Sequence, residues 1–132
     1  VSLYGMINLR FNVTDSNKDF LTIWHRNHLG ILSFYPLIIQ DEIASYDFTT
    51  GFLKTFGSTN GCKELGTGIW GMISGNGNAD ATINDLDKLT EWQIDAGEQG
   101  YLFSDYNLDG QVSNQDKDNY WLPNIGYSSQ IP

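Results

Sequence analysis

Oxygen-bearing side chains recur at alternate positions between residues 105 and 116. The segment reads Asp-Tyr-Asn-Leu-Asp-Gly-Gln-Val-Ser-Asn-Gln-Asp, so positions 1, 3, 5, 9 and 12 of a twelve-residue loop carry side-chain oxygens. The glycine at position 6 permits a sharp turn, the glutamine at position 7 offers its backbone carbonyl, and the valine at position 8 can face the core. Hard cations such as Ca²⁺ take about six to eight oxygen ligands, which short Asp and Asn side chains on a curled backbone supply. The pattern predicts a calcium loop rather than a polar surface turn, with the ligands Asp105, Asn107, Asp109, Gln111, Ser113 and Asp116.

The same pattern occurs 29 residues earlier in the chain. Matches at this one offset extend beyond the ligands, for example Gly71 with Gly100, Lys88 with Lys117, Trp92 with Trp121 and Gly97 with Gly126. The two segments are therefore an internal duplication. Asn replaces Asp at position 1 and Ala replaces Gly at position 6, which predicts a weaker calcium site or, alternatively, a degenerate loop kept for packing. The expected ligands of this second calcium site are Asn76, Asn78, Asp80, Thr82, Asn84 and Asp87.

A helix is expected after each loop and an extended segment before it. Residues 84–93 place Leu86, Leu89 and Trp92 on one helical stripe. The second helix is expected over residues 114–121 and should end before Pro123. Short apolar runs bounded by glycine precede both loops, which favours an extended entry over a complete helix-loop-helix hand.

Paired loop-then-helix calcium repeats with Asp at position 12 resemble dockerin modules, whose loops are of the EF-hand type. Dockerins bind cohesin domains and hold secreted polysaccharide-degrading complexes together. A longer resemblance, over roughly residues 7 to 132, is to a carboxy-terminal domain of large secreted proteins of the Bacteroidetes type. It rests on His25-Arg26-Asn27-His28-Leu29-Gly30, Tyr46-Asp47-Phe48-Thr49, Gly71-Met72, and Asp116-Lys117 through Trp121-Leu122-Pro123-Asn124. The resemblance implies a β-rich part fused to a dockerin-like calcium part at the cell surface, and names no reaction. The positions that select the cohesin in dockerins correspond to Asp85-Leu86 and Asn114-Gln115, which match no assignable pattern.

The fold class indicated is α+β, with a small antiparallel β-sheet or partial β-sandwich in residues 1–74 and the duplicated dockerin-like part in residues 75–132. Apolar and polar residues alternate over residues 7–13, as in a half-buried strand, and a polar turn follows at 15–19. Further strands are expected at 20–28, 30–35, 46–48 and 69–73, whereas 51–68 reads as a glycine-rich loop. So few strands leave an open edge, which the calcium repeats, upstream sequence or another subunit could cover. The last option predicts self-assembly by strand pairing.

The distribution of charge argues against nucleic acid as a partner. Ten of the 16 acidic residues, but only two lysines, lie in residues 76–132, giving a local balance of −8. This clustering is typical of cation ligands and excludes nucleic acid as a partner. No apolar run reaches the length of a membrane span, so membrane insertion is not expected. The calcium loops predict a secreted or cell-surface protein, and the single cysteine, Cys62, is expected to be a buried structural residue.

The segment His25-Arg26-Asn27-His28 is the strongest candidate for other chemistry. On a continuous strand the two histidines face opposite sides, so a shared metal is disfavoured. A structural role is expected instead, in which Arg26 and the imidazoles hydrogen-bond carbonyls of the 51–68 loop or an acid such as Asp47. A metal, catalytic or ligand-binding role is the alternative. The remaining acids Asp41, Glu42 and Asp47 have no supporting motif, so no catalytic residues are assigned and an enzyme is not expected.

The 18 aromatic residues include four tryptophans. Exposed rings stack on sugars, but the equivalent repeat positions of Trp92 and Trp121 predict core packing under each calcium loop. The sequence therefore predicts a non-catalytic, calcium-binding extracellular module for attachment or assembly. The alternatives are a dockerin-type plug that binds a cohesin-like receptor, and a carbohydrate-binding appendage.

Overall fold

The computed structural model of the protein describes residues 19–40 and 43–132. The strand expected at 7–13, most of the turn at 15–19, and both Asp41 and Glu42 lie outside the described residues. In the described part of the chain, six short strands come first and two short helices follow. The strands are β1 (Thr22–His25), β2 (His28–Leu32), β3 (Ile38–Gln40), β4 (Ile43–Ser45), β5 (Lys63–Gly66) and β6 (Ile69–Gly71).

The described strands form three separate antiparallel hairpins, β1 with β2, β3 with β4, and β5 with β6. The α+β class is thus confirmed, with the strands distributed over three two-stranded sheets. Isolated bridges extend β2 on its other side, from His28 to Ser74 and from Ser33 to Thr55. Strand β2 is therefore the central strand of this part of the molecule, and three of its five residues are buried.

Two expectations about strands were wrong. Residues 46–48 are not a strand, and β5 lies in the segment that was expected to be a loop. Strands β5 and β6 meet in a two-residue turn in which Gly68 has φ 73°, and the Glu64 carboxylate accepts a hydrogen bond from its N–H at 2.8 Å. Glycine adopts this φ without strain, so Thr67-Gly68 is a hairpin turn.

The first helix consists of α1 (Asp85–Asp87), a wide π segment (Lys88–Trp92) and α2 (Gln93–Asp95). Its first turn carries a capping box. The Asn84 side chain accepts the N–H of Leu86, and the Asp87 side chain accepts the N–H of Asn84. The second helix runs from 114 through the π segment Asp116–Trp121. A 3₁₀ turn, Leu122–Asn124, accommodates Pro123, so helical backbone continues one turn past the predicted end.

The hydrophobic core joins the hairpins to the duplicated part. Its central cluster is Leu29, Ile73, Ile83, Tyr106 and Trp121. Leu29 and Ile73 come from the β-rich part, and the Leu29 backbone N–H donates a hydrogen bond to the Ile73 carbonyl at 2.8 Å. The other three come from the calcium repeats, so both parts of the chain share one core.

Two further expectations concern packing. Cys62 is buried as expected, with its thiol donating to the Ser58 carbonyl at 3.3 Å, and burial raises its pKa. The stripe on the first helix differs from the expectation, because Leu86 and Leu89 are 51% and 50% exposed while Trp92 is half-buried. Within the described residues, no helix is both long enough and apolar enough to cross a membrane.

Candidate metal centre

The two predicted calcium loops share one hydrogen-bond scaffold. In loop 1 (residues 76–87) and loop 2 (residues 105–116), six hydrogen bonds to side chains recur at the 29-residue offset. In each loop, the side chain at position 3 accepts the N–H of position 5, and the side chain at position 5 accepts the N–H of position 7. These successive Asx turns curl the backbone and leave further carboxylate and amide lone pairs for a cation.

The aspartate at position 12 holds both ends of each loop. Asp87 accepts the N–H of Asn78 at 3.3 Å and of Asn84 at 2.7 Å. Asp116 accepts the N–H of Asn107 at 3.1 Å and of Ser113 at 2.8 Å. Both carboxyl groups are fully buried, and burial raises the pKa of Asp87. Asp116 also accepts from the Ser113 hydroxyl at 3.3 Å. A buried carboxylate whose partners are all neutral lacks a compensating cation, which Ca²⁺ would supply.

Positions 4 and 6 adopt left-handed backbone in both loops. At position 6, Ala81 has φ 70° and Gly110 has φ 88°, while at position 4 Ala79 and Leu108 have φ 58° and 63°. Ala81 thus follows the backbone path that glycine follows in loop 2. A Cβ makes this conformation unfavourable by about 1 kcal/mol, so loop 1 carries a strain that loop 2 lacks at this position.

The side chains at position 1 of the two loops differ in their hydrogen-bond partners. Asn76 is buried, and its side-chain oxygen has no hydrogen-bond partner. The Asp105 carboxylate accepts the N–H groups of Asp109 and Gly110, both at 3.1 Å, and lies 3.7 Å from an Arg26 guanidinium nitrogen. An orphaned buried oxygen is unfavourable by about 1–3 kcal/mol unless something binds it. In loop 1 a cation at the centre of the predicted ligands would do so.

The ligand chemistry of both loops fits calcium, since all twelve predicted positions offer carboxylate, amide, hydroxyl or backbone carbonyl oxygens. Residues 19–40 and 43–132 contain no group of three or more His, Cys, Asp or Glu side chains already placed to hold a metal ion. Loop 1 has only two acidic ligands, Asp80 and Asp87. The amide of Asn107 donates to the Asp109 carboxylate at 2.8 Å, and Asn78 does the same to Asp80 at 3.0 Å.

Each loop pairs with the segment that follows the other repeat's helix. Ile83 at position 8 of loop 1 donates its N–H to Tyr127 and its carbonyl accepts from Gly126. In the same way, Val112 at position 8 of loop 2 donates its N–H to the Glu98 carbonyl, and its own carbonyl accepts the N–H of Gly97. The four partners are related by the 29-residue offset, so the repeats exchange equivalent contacts. Neither loop forms its backbone ladder alone.

The tryptophans follow the same reciprocal arrangement. Trp92 donates its indole N–H to the Ser113 carbonyl in loop 2 at 2.8 Å, and Trp121 donates to the Asn84 carbonyl in loop 1 at 3.0 Å. Lys117 and Lys88 lie over the respective rings, 4.7 and 5.1 Å from Nζ to ring centroid. Trp92 and Trp121 therefore pack under calcium loops as expected, but each under the loop of the other repeat.

The tip of the first hairpin reaches both loops. The side-chain amide of Asn27 donates to the Asp105 backbone carbonyl at 2.6 Å. The backbone carbonyl of Asn27 accepts the N–H groups of Gly75 and Asn76 at 3.0 and 3.2 Å. Arg26 donates to the Leu102 carbonyl at 3.0 Å and stacks on Tyr101. Arg26 was expected to bond to a carbonyl of the 51–68 loop or to an acid such as Asp47; its carbonyl partner is Leu102 instead, and its acidic partner is Asp105. Asp47 instead accepts hydrogen bonds from Thr49, which lower its pKa.

The histidines were expected to face opposite sides, and this was wrong. Arg26 and Asn27 form the two-residue turn of the β1–β2 hairpin, so His25 and His28 are paired across it. Their Nδ1 atoms are 3.0 Å apart, and His28 Nδ1 is 2.8 Å from the Asn27 side-chain oxygen. Burial, followed by the neighbouring His25 and Arg26, lowers the pKa of His28 to about 4, and burial also lowers that of His25. Both imidazoles are neutral at pH 7.

The other two tryptophans lie away from the loops. Trp24 is 62% exposed and its ring covers Gly30, where an added Cβ would approach it to 2.5 Å. Trp70 is half-buried and packs on Phe52 with ring centroids 5.3 Å apart.

Sequence reasoning missed the residues that tie the two loops together. Tyr106 at position 2 of loop 2 is buried and donates to the Asp87 carbonyl in loop 1 at 3.3 Å. It lies against Gly77, where an added Cβ would meet its hydroxyl at 2.6 Å. The available sequence signal for this contact was that position 2 is a glycine in loop 1 and a tyrosine in loop 2. The role of Asn27 had no such signal, because it depends on a long-range contact.

No protein-family model matches this chain, and no curated protein or solved structure is significantly similar to it. The functional argument therefore rests on the residues and their geometry.

Proposed function

We propose that this chain is a non-catalytic, calcium-binding extracellular module of the dockerin-like kind, which serves attachment or assembly. One Ca²⁺ binds in each loop, through the side chains at positions 1, 3, 5, 9 and 12 and the backbone carbonyl at position 7. The ligands are Asp105, Asn107, Asp109, Gln111, Ser113 and Asp116 in loop 2, and Asn76, Asn78, Asp80, Thr82, Asn84 and Asp87 in loop 1.

The single observation that carries this proposal is the recurrence of the six-bond scaffold at the ligand positions of both loops. Ordinary polar turns need no buried carboxylate, yet both loops bury one at position 12. The partnerless oxygen of Asn76 supports ion binding in loop 1 independently. Together these features favour a cation at each loop over a merely polar surface turn.

An extracellular role follows from the affinity such loops have. Calcium loops of extracellular modules typically bind with Kd of roughly 10⁻⁴ to 10⁻³ M, which suits the calcium level outside cells. The acidic excess of residues 76–132 is consistent with partly neutralised ligand clusters. Since Asp87, Asp105 and Asp116 hold the loop backbones, they are not free for acid-base catalysis.

The test uses one conservative change per loop. Asp116→Asn and Asp87→Asn each remove one ligand charge, and each should abolish one of two calcium-binding events in calorimetry. Asp118→Asn is the matched control, because Asp118 is exposed on the second helix outside the ligand positions and should leave both events unchanged. The proposal fails if the metal-free wild type binds no calcium at millimolar concentrations, or if the control variant loses as much binding as the loop variants.

A second candidate function is docking on a cohesin-like receptor. The observation that favours it is the exposed apolar face of the first helix, where Leu86, Leu89 and Ile94 are 51%, 50% and 71% exposed. Leu86 also occupies one of the positions that select the partner in dockerins. Affinity capture with the calcium-loaded chain should recover such a receptor, and Leu86→Ser with Leu89→Ser should abolish capture without changing calcium binding. Recovery of copies of the chain alone would favour self-assembly.

A further inference from the structure

The chain contains two histidines, and both lie at the tip of the β1–β2 hairpin. Their pairing across the Arg26-Asn27 turn brings both Nδ1 atoms and the Asn27 side-chain oxygen together. We propose that His25, His28 and the Asn27 oxygen form a binding site for a divalent transition metal of the zinc class. This site is separate from the calcium loops and takes a different kind of ion.

The distances between the three atoms suit a common metal ion. The two ring nitrogens are 3.0 Å apart, and the Asn27 oxygen is 2.8 Å from the His28 nitrogen. Ligand atoms about 2.0–2.1 Å from a tetrahedral zinc ion are about 3.3–3.4 Å apart, so these atoms must move apart by roughly half an ångström or less to accept the ion. The site therefore needs only small side-chain rotations to bind.

Two neutral imidazole nitrogens at this distance need a shared proton or a metal ion between them. If both presented lone pairs they would repel, so in the metal-free protein one nitrogen carries the proton that the other accepts. A divalent metal can take the place of that proton, which moves to Nε2 of the same ring through solvent, so both imidazoles stay neutral and no net proton is released. Asn27 is fully buried and is held in place by its bond to Asp105, so its oxygen is pre-positioned.

The ligand set selects against calcium. Imidazole nitrogen suits Zn²⁺, Ni²⁺ and Cu²⁺, whereas Ca²⁺ takes oxygen ligands. The one cationic side chain in this turn, Arg26, is directed by its bonds to Leu102 and Asp105, and the Asp105 carboxylate 3.7 Å away offsets its charge. Open ligand positions around the ion would be filled by water or by a group from a partner.

Metal binding here would fasten the turn that contacts both calcium loops. Asn27 bonds to the first residue of each loop, through Asp105 on one side and Asn76 on the other. A metal held by the residues on both sides of Asn27 would restrict the hairpin tip. The site is thus placed to stabilise the junction between the β-rich part and the duplicated part.

The experiment is calorimetry with Zn²⁺ on the calcium-saturated full chain. The wild type should bind one equivalent, and His25→Ala and His28→Ala should each weaken binding at least tenfold. Cys62→Ser is the control, because it removes the chain's only thiol and should leave Zn²⁺ binding unchanged. In parallel, the imidazole ¹⁵N spectrum, which contains two histidines, should show both Nδ1 signals shifting with Zn²⁺.

Three results would overturn the proposal. They are no Zn²⁺ binding to the wild type, equal binding by the wild type and both histidine variants, or binding that saturating calcium removes, which would place Zn²⁺ in the loops. His25→Gln, at a half-exposed position, provides a second variant if an alanine variant does not fold. Because the histidine variants report on Zn²⁺ alone, failure here is distinguishable from failure of the calcium proposal, which the calcium titration tests separately.

Discussion

The side-chain amide of Asn27 donates a hydrogen bond to the backbone carbonyl of Asp105 across 2.6 Å. The backbone carbonyl of Asn27 accepts the N–H of Asn76, which occupies the same first position in the other loop. A single buried residue of the hairpin turn thus bonds to the start of both loop 1 and loop 2. The β-rich part is therefore part of the framework of the two loops rather than a separate appendage.

Removing the Asn27 side chain should destabilise the protein and weaken calcium binding together. Asn27→Ala deletes a buried amide and leaves the Asp105 carbonyl without this donor, which should lower the free energy of unfolding by about 1–3 kcal/mol. Chemical denaturation and calcium calorimetry measure the two effects. Asn119→Ala, an identical change at an exposed helix position, should stay within about 0.5 kcal/mol. Equal effects of the two changes would contradict the role assigned to Asn27.

Ala81→Gly should strengthen loop 1. Ala81 has φ 70°, and glycine adopts this conformation without the Cβ clash, so we expect a stabilisation of up to about 1 kcal/mol and tighter calcium binding in loop 1. Ala96→Gly is the control, because Ala96 has φ −57° and the change there should destabilise or be neutral. Thermal melts with and without calcium compare the two variants. A destabilised Ala81→Gly protein would refute the strain argument.

Each tryptophan should affect the calcium site of the opposite repeat. Trp92→Phe removes the donor to Ser113 in loop 2, and Trp121→Phe removes the donor to Asn84 in loop 1, each lowering stability by about 1 kcal/mol. Combining each change with Asp87→Asn or Asp116→Asn isolates one loop for calorimetry. Trp24→Phe, at a largely exposed ring, is the control. If each tryptophan weakened only the loop of its own repeat, the reciprocal arrangement would be wrong.

The stability of the metal-free protein should fall between pH 6.5 and 4 because of His28. Its pKa is lowered from 6.5 to about 4, so below pH 6.5 the unfolded chain binds a proton that the folded chain does not. The loss should grow as the pH falls and reach at most about 3 kcal/mol near pH 4. His25 and Arg26 are the cationic or titratable groups that contribute to the lowered pKa.

His28→Gln removes that titration, so the difference in stability between the wild type and this variant should change with pH. Urea denaturation at a series of pH values measures this difference. A difference that is constant from pH 7 to 4 would show that His28 titrates normally in the folded protein.

Local patterns in the sequence were sufficient to locate the two helices, because helix formation depends on near neighbours. The core packing of Trp121 was predicted in this way. The Arg26-Asn27 turn was not, since His25 to Leu29 contains no glycine or proline and reads as one continuous strand. What bends it there is the set of long-range bonds to Leu102 and Asp105, which local sequence does not report.

The exposed leucines show a second limit of the sequence pattern. Leu86 and Leu89 match the spacing of a buried helical stripe, but the π segment Lys88–Trp92 changes the angular spacing along the first helix. Trp92 turns toward loop 2 while the leucines remain exposed. The periodicity identified the helix correctly and its buried face incorrectly.

Calcium titration of the metal-free chain by calorimetry, with thermal melts in calcium and in chelator, tests the central claim most directly. We expect two binding events with Kd of roughly 10⁻⁴ to 10⁻³ M and a higher melting temperature in calcium. At several times Kd, each ion should add about 1 kcal/mol or more to the free energy of unfolding. The absence of any heat of binding, with identical melts in calcium and chelator, would contradict the account.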